Sequence, residues 1–314
     1  MALPTNTFAT YESIGNREDL TDIIYNIAPF VTPYLSSVGT AEAKAKLHEW
    51  QTDSLAAASG TNAQLEGDDA STDATVATVR LGNYAQISTK TPRVTGTQQA
   101  IVKAGRSDEL AYQIAKRARE LKRDMETSLL ANTARAAGSD AVASVCAGIV
   151  TCLKTNESVG AGGVAPVTIL TTTRTDGTQR AFTESLLLPV LKAVFDAGGD
   201  PDTIMVGSFN KQKFSGFTGN ATKMVNVEEK KLTASVDVYE SDYGVLKVVP
   251  NRFQRSRDAL VLQLDMWAVA YLRSFHTKEL ARTGDSERQQ LIVEYTQEAR
   301  QEAASGIVAD LTTS

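Results

Sequence analysis

Residues 107–138 constrain this chain more than any other stretch. Ser107 can cap a helix amino terminus, Asp108 and Glu109 suit the positive end of a helix, and Gly138 suits a left-handed stop beyond Arg135. Neither proline nor glycine interrupts the residues between. Leu110, Ile114, Ala118, Leu121, Met125 and Leu129 recur at spacings of three and four, while Lys116, Arg117, Arg119, Lys122 and Arg123 fall elsewhere. The spacing predicts one amphipathic helix of about 30 residues, which at roughly 1.5 Å per residue is about 45 Å long. No second segment of similar length exists to pair with it in a bundle, so the helix is expected to lie as a spine across a sheet.

A chain of 314 residues with an apolar share of 42% can bury real cores and has the length of about two domains. Net charge is −5, from 32 basic and 37 acidic residues, which does not mark a dedicated nucleic-acid binder. Cys146 and Cys152 are the only cysteines, too few for a disulfide scaffold and pointing to buried thiols in a reducing compartment. No basic leader precedes an apolar run, and no segment approaches the roughly 18 apolar residues of a membrane span.

In chain order, residues 1–15 read as a polar arm, followed by a short helix whose apolar face is Leu20, Ile23, Ile24 and Ile27. Pro29 and Pro33 end it and start a turn or a second short helix over residues 34–37. Strands are expected at 46–51 and 74–81, with 84–96 again β-like. Between the first two lies a stretch, 52–73, rich in Ala, Ser, Thr, Gly and Asp, which carries Glu66, Asp68, Asp69 and Asp73 and cannot form a core alone. Residues 43–96 together read as a long two-stranded excursion from the body; such a ribbon is marginal in water by itself and needs another surface.

Past the spine, a strong helical face (Phe182, Leu186, Leu187, Val190, Leu191, Val194, Phe195) ends at Gly198 and Gly199. A buried strand at 203–206 and a helix capped by Ser208 follow, then short strands at 236–240, 245–249, 259–264 and 268–273, and two terminal strands at 289–298 and 302–309. The class is α+β.

Residues that could carry chemistry do not assemble into a motif. Residues 216–223 have the wrong spacing for a phosphate loop, His48-Glu49-Trp50 lacks the second histidine of a zinc-protease helix, and Gly207-Ser208-Phe209 lacks the second glycine of a nucleophile elbow. Cys146 sits among apolar residues, which raises a thiol pKa and makes it inert. The carboxylates at 66–73 lack the alternating oxygens and closing glutamate of a calcium loop. Arg252, Arg255 and Arg257 form the densest basic patch, able to meet phosphate or an acidic neighbour, but with no interleaved aromatics beyond Phe253 to read bases. No catalytic residue, cofactor site or metal site is expected. The best support for a rival reading, an α/β enzyme of unknown substrate, is the helix-strand-helix run at 183–217; a nucleic-acid-coating protein would rest on Arg252 to Arg257 alone.

Arm, ribbon, spine, mixed unit and terminal strands, in that order, resemble a major capsid protein of tailed bacteriophages with the Hong Kong 97 fold. Asn16-Arg17-Glu18-Asp19-Leu20, residues 48–53 (HEWQTD), residues 243–253 (YGVLKVVPNRF) and Thr283-Gly284-Asp285 leading to Glu294-Tyr295-Thr296 strengthen the likeness, which covers nearly the whole chain. The resemblance implies an amino-terminal arm at 1–42 and an extended β-hairpin loop at 43–96. It also implies a peripheral domain at 97–145 and 275–314, with the spine helix and terminal strands, and an axial domain at 146–274. It further implies a non-enzymatic subunit that self-assembles into pentamers and hexamers of an icosahedral head. That head would enclose double-stranded DNA without sequence-specific binding and without a membrane, and would be assembled in the bacterial cytoplasm. A portal protein is an expected partner, and a decoration protein has a place. Many relatives begin with a charged helical scaffolding segment whereas this chain begins almost at the arm, so a separate scaffolding protein is expected. Some capsids of this fold join subunits through a lysine on the extended loop; no lysine lies between Lys46 and Lys90, so a non-covalent shell is expected. Glu66, Asp68, Asp69 and Asp73 are expected to lie across a neighbouring subunit. Their candidate partners are the arginines at 252, 255 and 257 or the cations at 116–123.

Overall fold

The computed structural model describes residues 31–67, 69, 73–102, 107–217 and 237–314. Its elements run α1 (Pro33–Ser37), β1 (Gly39–Glu42), β2 (Leu47–Thr52), β3 (Val79–Tyr84), β4 (Gln86–Lys90), β5 (Arg93–Thr95), α2 (Gly96–Ala100) and α3 (Glu109–Leu129). Then follow β6 (Glu157–Ser158), α4 (Glu184–Asp196), β7 (Thr203–Val206), α5 (Ser208–Ser215), β8 (Val238–Ser241), β9 (Gly244–Pro250), β10 (Ala259–Leu262), β11 (Trp267–Glu279), β12 (Ser286–Ala299) and β13 (Gly306–Val308). The mixed α+β class is the one expected. The helix expected at 20–27 lies outside the described residues.

The spine is α3, and it is shorter than its periodicity suggested: 21 residues, about 32 Å at 1.5 Å each. Asp108 rather than Ser107 is its cap, the carboxylate accepting from the amide of Ala111 at 3.1 Å. It stops at Leu129 because the small-residue run beyond is claimed by other partners. The Asn132 side chain bonds both the amide and the carbonyl of Arg174, and Arg135 donates its amide to the Leu170 carbonyl. Ala131 presses so close to Gly148 that a Cβ there would lie 2.1 Å from the Ala131 carbonyl oxygen. Gly138 is left-handed as expected (φ 71°), but in a separate turn closed by Ser139 and Val142.

Two larger sheets and the two-stranded β2-β3 pair carry the rest. The first has the order β1-β11-β12-β4 with β5 also on β12, built on the long antiparallel pair of β11 and β12; β1 joins β11 in parallel. Leu121, Met125 and Leu129 of α3 pack in one core with Val269, Leu291, Val293 and Tyr295 of that sheet. The second sheet runs β6-β13-β10-β7-β9-β8. One of its faces, with Ile204, Val206, Leu246 and Val261, is covered by α4 and α5; the other contributes Met205, Leu260, Leu262 and Ile307 to the core of the first sheet. Being covered twice, β7 and β10 are buried along their whole length; β10 reads as an unbroken apolar run, and β7 is apolar after Thr203.

Strand pairing runs across the expected divisions of the chain. The two-stranded ribbon is β2 with β3 and ends at Tyr84, whereas β4 and β5 belong to the first sheet. Their β-like residues were legible; the strand they pair with, more than 190 positions along the chain, was not. β11 is one continuous strand across the expected border at 274/275, and β13 lies in the second sheet, not beside β12. Ser208 is the first residue of α5 and makes no cap bond; Gly207 holds the cap position.

One buried side chain ties the parts together. Glu126 of α3 accepts the amides of Tyr34 (2.8 Å) and Leu35 (2.9 Å) at the start of α1, and the Asn251 side-chain amide (2.7 Å) just after β9. The base of the arm, the spine and the second sheet therefore meet on one carboxylate.

Candidate assembly surfaces

The ribbon is fastened at its root and open beyond it. Trp50 donates its indole N–H to the Ala299 carbonyl at 2.6 Å, His48 contacts Glu298 at 3.3 Å, and the buried Asn83 accepts the Ala147 amide while donating to the carbonyls of Ala147 and Gln297. Arg80 grips Glu49 across β2 and β3, holding that carboxyl below its usual range. Between Thr52 and Val79 every described residue is exposed and none is in a strand or helix. Leu55 (99%), Leu65 (80%) and Val76 (86%) present bare apolar side chains there. Such residues are worth about 1.5–3 kcal/mol each when buried, so an isolated subunit forgoes that stabilisation.

The contact residues expected from sequence separate into two groups. Glu66, Asp69 and Asp73 lie on the exposed span, and Asp68 lies outside the described residues. Arg252 is exposed and has no ion pair among the described residues. Arg255 and Arg257, by contrast, are spent within their own chain. Arg255 holds both oxygens of Asp176 at 2.8 Å and faces Asp258 at 3.3 Å; Arg257 reaches Asp176 at 3.1 Å and Asp310 at 2.7 Å. The sequence reads these arginines as a basic patch because their acidic partners arrive from residues 176 and 310, which only the fold brings near. Of the alternative surface, Lys116, Arg119 and Lys122 are exposed on α3, with Lys122 5.9 Å from the Phe275 ring centre and Arg123 5.4 Å from that of Phe253.

Asp310 anchors this network and was not legible in the sequence. It is fully buried at φ 62°, accepts the amides of Gly160 (3.0 Å) and Gly177 (2.8 Å) besides Arg257, and is enclosed by Gly160, Gly163 and Gly177. A Cβ on any of the three would come within 3 Å of its side chain, so the cradle admits only glycine. Asp258 is equally buried, with no hydrogen-bond donor on either oxygen; burial pushes its carboxyl up to about 6 against the pull of Arg255, Arg174 and Arg257.

Burial pushes the Cys146 thiol up to about 12 and the Cys152 thiol higher still, so both stay protonated. No group of three metal-ligating side chains exists among the described residues. The helix-strand-helix run α4-β7-α5 borders an open cavity of about 500 Å³ lined by Phe182, Thr183, Glu184, Gln212, Lys213, Gly216 and Phe217, a set without a nucleophile and base in contact. No helix among the described residues is long and apolar enough to cross a membrane.

Residues 3–312 match the family described as SU10 major capsid protein, and the chain belongs to that family. It is 26% identical to the major capsid protein of Escherichia phage Phieco32, over 98% of this chain and 97% of that protein. Its fold is that of phage capsids of the Hong Kong 97 type. The capsid of a native GTA particle superposes with a TM-score of 0.64 at 11% identity, covering 96% of this chain and 98% of that one. The Phage G major capsid proteins, solved with decoration proteins, superpose at 0.56 and 10% identity, covering 99% and 100%. Family and relatives are structural capsid proteins, so the chain is a virion subunit and not an enzyme.

Proposed function

We propose that this SU10-family subunit builds an icosahedral phage head from pentamers and hexamers, assembled in the bacterial cytoplasm and enclosing double-stranded DNA without reading its sequence. The observation that carries the proposal is the span between Thr52 and Val79, which has exposed apolar and acidic side chains and no secondary structure on its own subunit. The span lies across a neighbouring subunit. Its carboxylates Glu66, Asp68, Asp69 and Asp73 meet Arg252 and the cationic face at Lys116–Arg123, where Lys116 and Lys122 are exposed. Arm, ribbon, peripheral and axial parts follow the strand pairing, with the ribbon ending at Tyr84 and β13 assigned to the axial part. A portal protein and a separate scaffolding protein are its partners in assembly, and a decoration protein, as in the Phage G particle, has a place on the finished head.

The test replaces residues 53–78 with a short Gly-Ser turn. The isolated subunit should keep its melting temperature within a degree or two, because the excised backbone is exposed, while shells disappear from micrographs of the assembly reaction. Normal shells, or a subunit that unfolds several degrees earlier, would assign the span to its own fold. Since no lysine lies between Lys46 and Lys90, the contacts are non-covalent. Boiled particles should give one band near 33.7 kDa, not a ladder resistant to detergent and reductant.

A further inference from the structure

At the fork where the ribbon leaves the body, a side chain replaces a strand pair. The chain returns from the ribbon along β3 and, after the single buried residue Ala85, enters β4. β4 pairs with β12 as far as Gln86 opposite Tyr295, and the same register would set Tyr84 opposite Gln297. β3 instead stands in a sheet of its own with β2, so the ladder on β12 ends there. Asn83, 0% exposed, takes over: Nδ2 donates to the Gln297 carbonyl at 3.0 Å and to that of Ala147 at 3.3 Å, while Oδ1 accepts the Ala147 amide at 2.9 Å. A side-chain amide presents the same donor and acceptor as a peptide unit, so it can close a ladder that the backbone has left. The same joint is held on either side. Ser144 donates to the Ala85 carbonyl at 2.8 Å, Arg135 to that of Gly82, and Trp50 to that of Ala299 at 2.6 Å.

We propose that Asn83 is the positioning residue of the ribbon: it fixes, in the free subunit, the direction in which β2 and β3 leave the body, so that assembly has only the span between Thr52 and Val79 left to order. The consequence for assembly rests on the reading of that span as a contact between subunits. A two-stranded ribbon is marginal by itself. Held at its fork, it arrives at the neighbour already oriented, and the ordering cost of each contact is confined to the span. Without the Asn83 amide, the Gln297 carbonyl and both backbone groups of Ala147 lose their partner on β3, and the ribbon swings about Ala85.

Distances between paired spin labels in the full-length subunit, read by double electron–electron resonance, test this. One label goes on α3 at Ala115→Cys, the other at Val79→Cys on the ribbon's outer end or at Thr61→Cys in the span, all three exposed positions. Cys146 and Cys152 are 0% exposed and stay unlabelled. The distances from 115 to 79 should form one narrow peak, unchanged when labelled subunits are diluted into shells of unlabelled ones, while those from 115 to 61 are broad in the subunit and narrow in shells. Asn83→Ala should spread the narrow peak to the breadth of the span and raise the critical concentration for shells about two- to tenfold. Arg80→Ala, which breaks a pair inside the ribbon only, should leave the peak as it is. Should Asn83→Ala not fold, Trp50→Phe keeps a ring in the core and drops the Ala299 bond, and it should broaden the same peak. A broad peak in the free wild type, a peak that shifts on assembly, or one untouched by both Asn83→Ala and Trp50→Phe would overturn the proposal. If the peak behaves as expected but the distances to residue 61 stay broad in shells, the joint stands and it is the reading of the span that fails.

Discussion

Two stretches of this chain lack long regular structure and are rich in small and polar residues, yet their fates are opposite. Between Thr52 and Val79 every described residue is exposed, whereas residues 304–311 are all buried, although β13 supplies only three strand residues among them. The difference lies in what the carboxylates meet. Asp310 is given two glycine amides and an arginine, while Glu66 and Asp73 stand in solvent. Irregular backbone can be buried where its polar groups find partners in the same chain; where they do not, the segment stays outside and is available to a neighbour.

Breaking the buried side of this contrast should have the largest effect. Asp310→Ala strands Arg257 and the amides of Gly160 and Gly177, and loss of one partner from a buried ion pair costs about 3–5 kcal/mol, readable by denaturant unfolding of the subunit. A loss below about 1 kcal/mol would mean that the cradle, not the carboxylate, holds the loops.

Next in size is the pH dependence carried by Asp258. Its folded-state pKa of about 6 lies above the ordinary 3.8, so its contribution is fully present below the ordinary value and is lost as pH rises through about 6. A rise of about two units corresponds to about 3 kcal/mol at most. Asp258→Asn stays neutral, and its unfolding free energy should lack this decline; parallel pH profiles for variant and wild type would remove Asp258 from the account.

The smallest effect belongs to the open stretch. Neutralising Glu66, Asp68, Asp69 and Asp73 should leave subunit unfolding unchanged within about 0.5 kcal/mol. Assembly should weaken by about 0.2–1 kcal/mol per lost contact, most at low salt where screening is least. The critical concentration for shells, measured at two ionic strengths, checks this; an equal shift at both would speak against a charge contact.

The sequence carried much of the exposed half of this contrast and little of the buried half. The polar composition of 52–73 announces a stretch that cannot build a core, and the three-and-four spacing from Leu110 to Leu129 announces the spine. Periodicity also places α4, β7 and β9, because each buries one face or is buried throughout. It cannot say that β4 pairs with β12 or that Ile307 sits beside Leu260, since partner choice is set by the whole topology. Glu126 follows Asp124 in a helix dense with charge, and Asp310 stands in a short tail; neither neighbourhood distinguishes a buried carboxylate from a solvated one. Arg255 and Arg257 read as a basic patch able to meet phosphate or an acidic neighbour for the same reason: a charge is legible in sequence, its partner is not.

The position of β13 has a consequence for how such a subunit is made. It is the last strand among the described residues, yet it lies inside the second sheet, hydrogen-bonded to β6 on one side and β10 on the other. On the ribosome, this sheet stays incomplete until residue 308 has been synthesised and released. A chain cut short before that point leaves two bare strand edges where an interior strand belongs, and bare edges invite aggregation instead of ordered packing.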